Sequence, residues 1–146
     1  MKRDIPVHHH AELCPFARDG AEACTCSADH LVANIRRALP VRWQYRNEAE
    51  VHQQIAGGLR ASNIPFEHEV EVLGGRIDFV AYGCIGTEVK IGGSYADVLR
   101  QVFKYADDAR FIGFAVVTTR RVHVASVDDP KLKGKPVTFI HAQGWP

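Results

Sequence analysis

The sequence predicts an α/β fold, a mixed central sheet flanked by helices, and three features predict it. Residues 66–91 hold three short extended segments separated by glycine pairs or glycine-bounded turns. Stretches with helical apolar spacing stand on either side of them, at 48–62 and 94–107. Residues 111–118 then form a nearly continuous apolar run, the mark of a strand covered on both faces. The order is helix, three strands, helix, strand, followed by a hairpin-like ending.

Each element has its own local reason. Leu31, Ile35 and Leu39 recur at four-residue steps, and Pro40 stops the short helix they define over 28–39. Asn47 is an N-cap, Glu48 and Glu50 fall in the first turn where the helix dipole favours carboxylates, and Val51, Ile55 and Leu59 mark one buried face. Gly57 and Gly58 each weaken this helix by roughly 1 kcal/mol relative to Ala, so packing has to hold its end.

In residues 66–73, Phe66, His68, Val70 and Val72 alternate with Glu67, Glu69 and Glu71, which predicts a half-buried strand. Gly74-Gly75 turns the chain into a second strand over 76–82, and 83–86 turns it into a third over 87–91, giving an antiparallel meander. Ser94 caps the next helix, whose stripe is Tyr95, Val98, Leu99, Val102, Phe103 and Ala106. After the apolar strand, weaker strands are expected over 121–127 and 137–141.

With 146 residues and 46% hydrophobic content, the chain is long enough for one ordinary core. A net charge of +1 excludes the strongly basic signature of a histone-like binder, so any affinity for phosphate must be local. No apolar run is long enough to span a bilayer, and no apolar segment follows the early cations. A cytoplasmic protein without membrane association is the expectation. There is no internal repeat, but the character changes near residue 47: residues 1–46 read as a Cys/His-rich extension and 47–146 as the core.

Chemistry is concentrated in Gly-Arg-Ile-Asp-Phe-Val-Ala at 75–81 and Gly-Thr-Glu-Val-Lys-Ile at 86–91. Glu88 and Lys90, two apart on one strand, project from the same face. Pairing through the short turn can bring Asp78 near the same end, in a register that the sequence leaves open. Ionisable groups inside apolar strands are costly to bury unless paired or holding a cation. Two carboxylates suit a hard cation such as Mg²⁺ or Mn²⁺, and an ammonium beside them can stabilise charge on a phosphoryl group. The plain alternative is a cross-strand ion pair between Asp78 and Lys90, with Glu88 facing solvent.

Residues 50–119, about half the chain, resemble the PD-(D/E)XK nuclease superfamily, restriction-endonuclease-like proteins whose common core is helix, three-stranded meander, helix, strand. Asp78 matches the acid of the middle strand, and Glu88-Val89-Lys90 matches the (D/E)-x-K element, although Ile77 replaces the usual Pro. The first-helix carboxylate matches Glu50 best, with Glu48 the competitor. Gln101 matches a Gln common in RecB-like and resolvase-like branches. The resemblance implies a Mg²⁺- or Mn²⁺-dependent DNA nuclease in which Asp78, Glu88 and Glu50 hold the ion, Lys90 assists the attacking water, and Gln101 steadies Lys90 or contacts the scissile strand. Arg100 and Lys104, on the same helix as Gln101, are candidates for flanking phosphates.

Cys14, Cys24, Cys26 and His30 supply the four ligands that a structural Zn²⁺ requires, at a spacing that fits no common finger. Free thiols or an iron–sulfur cluster are the alternatives. A chain of this size has no room for a large recognition domain, so specificity would come from a homodimer, the extension or a partner protein. The alternative function is a non-catalytic nucleic-acid-binding or assembly module that retains the nuclease fold.

Overall fold

A computed structural model describes residues 27–121 and 131–144. Helix α1 (Ala28–Ala38) starts at Ser27, whose hydroxyl accepts the His30 N–H at 3.4 Å, and buries Leu31, Val32 and Ile35. Helix α2 (Glu48–Ala61) is capped by Asn47 and buries the expected Val51, Ile55 and Leu59. Strands β1 (Phe66–Val72), β2 (Gly75–Ala81) and β3 (Ile85–Lys90) form the antiparallel meander. Ser94 and Asp97 close a capping box on α3 (Tyr95–Tyr105), with the Asp97 N–H donating to Ser94 Oγ at 3.1 Å and the Ser94 N–H to Asp97 Oδ2 at 3.3 Å.

Strand β4 (Gly113–Thr118) is buried along its whole length and pairs in parallel with β3, as its unbroken apolar run predicts. Strands β5 (Lys131–Leu132) and β6 (Lys135–His141) form a closing hairpin, and β6 also pairs in parallel with β4. The six-stranded mixed sheet has the order β1-β2-β3-β4-β6-β5. One face carries α1 and α2 over Phe79, Ala81, Ile85, Val89, Ala115 and Val117. The other carries α3 over Ile77, Val80, Phe114 and Val116, with Phe139 from β6.

Several expectations are corrected. Residues 28–43 of the expected extension share the main core, because Leu31, Ile35 and Trp43 pack with α2 and the sheet. Phe103, placed in the buried stripe of α3, is 48% exposed, and the Lys133 ammonium sits 4.3 Å from its ring centre. The strand expected over 121–127 lies, except for Arg121, outside the described residues. Among the described residues no helix is long and apolar enough to cross a membrane.

The two glycines of α2 turn out to be unlike each other. A Cβ on Gly58 would lie 2.3 Å from the Ala38 carbonyl oxygen at the end of α1, whereas one on Gly57 would meet nothing within 4 Å. Gly58 is therefore the close-approach point that lets α1 pack on α2. Gly58→Ala is expected to cost on the order of 2 kcal/mol, as overpacking against rigid backbone does. Gly57→Ala, on the exposed side, should add up to about 1 kcal/mol. Chemical denaturation of the two variants checks both signs.

Candidate metal centre

The site begins with a break in strand alternation. Residues two apart on a regular strand share a face, yet Ile77 packs on the α3 side and Phe79 on the α2 side. Strand β1 does the same, with Phe66 on the α2 side and Val70 and Val72 on the α3 side. The reversal falls at Glu69, whose φ is 54°, and at Asp78 beside it. The β2–β3 pairing runs only from Phe79↔Thr87 to Ala81↔Ile85.

Beyond Phe79 the two strands are joined by side chains. The Val89 N–H donates to Asp78 Oδ2 at 2.8 Å, and the Asp78 N–H donates to Glu88 Oε2 at 3.4 Å. Two carboxylates thus occupy a splay where ladder hydrogen bonds would otherwise run. Backbone donors hold them in place.

On the α3 side Glu88 is 4% exposed, and Lys90 Nζ stands 3.7 Å from its Oε1. Gln101 donates through Nε2 to Glu88 Oε1 and lies 3.3 Å from the Tyr105 hydroxyl, which donates in turn to the Arg76 carbonyl at 2.8 Å. This overturns the plain alternative, because Lys90 pairs with Glu88 and Glu88 does not face solvent. Burial pushes the Glu88 carboxyl up to about 8, the charge of Asp78 adds to the rise, and Lys90 opposes it. Burial likewise raises the Tyr105 hydroxyl.

On the α2 side, ligand atoms of Glu48, His52 and Asp78 all lie within 4.8 Å of one another. His52 Nε2 is 3.7 Å from Glu48 Oε1 and 3.9 Å from Asp78 Oδ2, too far for a hydrogen bond to either. It is one of two buried side-chain polar atoms among the described residues that have no hydrogen-bond partner, Thr87 Oγ1 being the other. A buried imidazole nitrogen facing two carboxylates fits a divalent cation. One nitrogen with several carboxylate oxygens suits Mn²⁺ better than Mg²⁺, which prefers an all-oxygen shell.

Glu50 is corrected by the geometry. Its carboxylate is turned onto Arg46, accepting from the backbone N–H at 2.6 Å and from the guanidinium at 2.7 and 3.0 Å, and those bonds hold it below the usual carboxylate range. Glu48 takes the place expected of Glu50 beside Asp78. The signal was in the phase of α2: at about 100° per residue, Glu48 falls roughly 20° from the middle of the Val51, Ile55, Leu59 stripe, His52 roughly 60° and Glu50 roughly 140°. Sequence reasoning also missed His52, although Glu48 and His52 are four apart on one helix face. Glu48→Gln is expected to weaken Mn²⁺ binding by about tenfold or more and Glu50→Gln to leave it within about twofold. Calorimetric titration of Mn²⁺ into both variants checks this.

Asp78, Glu88, Lys90 and Gln101 are brought together as predicted. The two helix cations are not drawn into that cluster: Arg100 pairs with Asp97 at the start of α3. Lys104 is exposed, and its carbonyl abuts Gly74. Cys14, Cys24 and Cys26 lie outside the described residues, while His30 is exposed on α1. No family model, no curated protein and no solved structure matches the chain.

Proposed function

We propose that this chain is a divalent-metal-dependent nuclease that hydrolyses phosphodiester bonds in DNA, with the restriction-endonuclease-like core that the resemblance implies. The observation that carries the reading is the splay between β2 and β3. There Asp78 stands with Glu48 and His52 Nε2 on one side and Glu88, Lys90 and Gln101 on the other.

Glu48, Asp78 and His52 would hold the ion, whose charge would help the buried Glu88 across the ladder to give up its proton. A bound divalent ion would polarise a phosphoryl oxygen and ease deprotonation of water. The chain's own groups do the rest. Lys90, 28% exposed beside Glu88, would supply an ammonium to the charge that grows on a transferring phosphoryl group. Gln101, bonded to Glu88, fixes the carboxylate and so keeps Lys90 in place. With a net charge of only +1 the chain has no large overall excess of cations, so recognition of duplex, branched or single-stranded substrate would draw on a second copy, a partner or the cysteine-rich segment with its candidate zinc.

The test is to incubate the protein with supercoiled, linear, single-stranded and branched DNA in Mg²⁺ or Mn²⁺, beside a Lys90→Ala control. Cleavage that the control lacks supports the reading. No cleavage of any substrate with either ion, under conditions where Mn²⁺ binds, would leave a metal-binding nucleic-acid module in its place.

A further inference from the structure

We propose that His68 is the positioning residue for His52: it accepts the His52 Nδ1 proton and so keeps the Nε2 lone pair facing Glu48 and Asp78. This rests on the reading of His52 as a metal ligand and goes beyond it, since His68 is not one of the three residues whose ligand atoms converge there.

The two imidazoles meet at 2.9 Å, His52 Nδ1 to His68 Nε2. One hydrogen must lie between them, and the two ways of placing it differ at His52 Nε2. If His68 donates, a neutral His52 carries its own proton on Nε2, a buried N–H with both carboxylates beyond hydrogen-bond reach, which forbids ligation. If a neutral His52 donates, Nε2 is a bare lone pair. His68 loses nothing by that choice, because it is exposed and its other ring nitrogen can be served by water.

The surroundings hold His68 in that role. Its ring stacks on Phe79 at 4.6 Å with 24° between planes and meets His52 edge-on at 5.1 Å and 67°. Phe79 lies opposite it on the neighbouring strand. The left-handed Glu69, φ 54°, follows directly, so His68 stays on the α2 face with Phe66 while Val70 turns to the other. A non-glycine residue held there costs roughly 1–2 kcal/mol, and such strain persists where the surroundings enforce it. Imidazoles that bind metals commonly hand their second N–H to a neighbouring acceptor, and removal of that acceptor lowers metal affinity by roughly 10–100-fold.

Long-range ¹H–¹⁵N spectra of the metal-free protein, assigned with a His52→Gln variant, report which nitrogen of His52 carries the proton. Nδ1 is expected. A proton on Nε2 in the wild type overturns the proposal without any substitution at His68. Mn²⁺ binding followed by electron paramagnetic resonance gives the second reading. His68→Phe keeps an aromatic ring on Phe79 but has no acceptor, and should lose roughly 10–100-fold in affinity. His68→Gln restores an oxygen acceptor and should recover most of it; equal loss in both variants, or none in His68→Phe, overturns the proposal. His52→Ala separates the two levels: unchanged Mn²⁺ affinity there removes His52 as a ligand altogether, whereas loss there with none in His68→Phe removes only the role of His68.

Discussion

Asp78→Asn is expected to lower metal-dependent DNA cleavage by about 10³-fold or more while leaving the fold intact. The Asp78 Oδ2 accepts the Val89 N–H at 2.8 Å, a bond that the amide oxygen of Asn can also make. The seam between β2 and β3 therefore survives. What is lost is the negative charge that faces Glu48 and His52, and with it a strong oxygen donor for a cation. Plasmid cleavage and Mn²⁺ titration should fall together, with an unchanged circular dichroism spectrum. Cleavage at the wild-type rate in Asp78→Asn would mean that the activity lies elsewhere.

The second large effect is on stability. Glu88 holds its proton up to about pH 8 in the folded chain, against an ordinary value near 4.5, because burial and the Asp78 charge both disfavour ionisation. Between these values the folded state binds the proton and the unfolded state does not, so stability falls as pH rises. The contribution is fully present below about pH 4.5 and is lost as the pH passes through about 8. Its size is on the order of 4 kcal/mol across that window. Glu88→Gln, neutral at every pH, should gain on the wild type steadily between pH 5 and pH 9 in metal-free buffer, as denaturant unfolding at each pH would show. Saturating Mn²⁺ should flatten the wild-type slope, because a cation beside Glu88 offsets the charge that burial disfavours. A wild-type minus variant difference that does not change with pH would contradict the buried, proton-holding state of Glu88.

The sequence carried most of the sheet and about half of the site. Caps at Asn47 and Ser94, the glycine turns and the unbroken apolar run of β4 each act locally, so α2, the meander, α3 and the parallel β4 were legible from short windows. Asp78, Glu88, Lys90 and Gln101 were legible because charge inside apolar strands, or one turn from them, is expensive unless used. Glu48 and His52 were within reach through the phase of α2. The preference for Glu50 failed because Arg46, ahead of the helix, draws that carboxylate away. The reversal at Glu69 and Asp78 had no signal, since a glutamate in the left-handed region leaves no trace in composition or period. That reversal lets His68 stay on the face of His52 while Val70 and Val72 turn toward α3. The partnership of α1 with the core also escaped, because the Leu31, Ile35 and Leu39 stripe marks a helix without marking what it packs on, and its neighbour is an aperiodic cysteine-rich stretch.

The most direct measurement is anomalous diffraction at the manganese edge from crystals grown with Mn²⁺. A single strong peak is expected within ligand distance of an Asp78 oxygen, bounded by Glu48 and His52 Nε2 and facing the Glu88 carboxylate. Crystals that contain manganese at other places but give no peak at the splay between β2 and β3 would contradict the shared ion and the hydrolytic chemistry built on it.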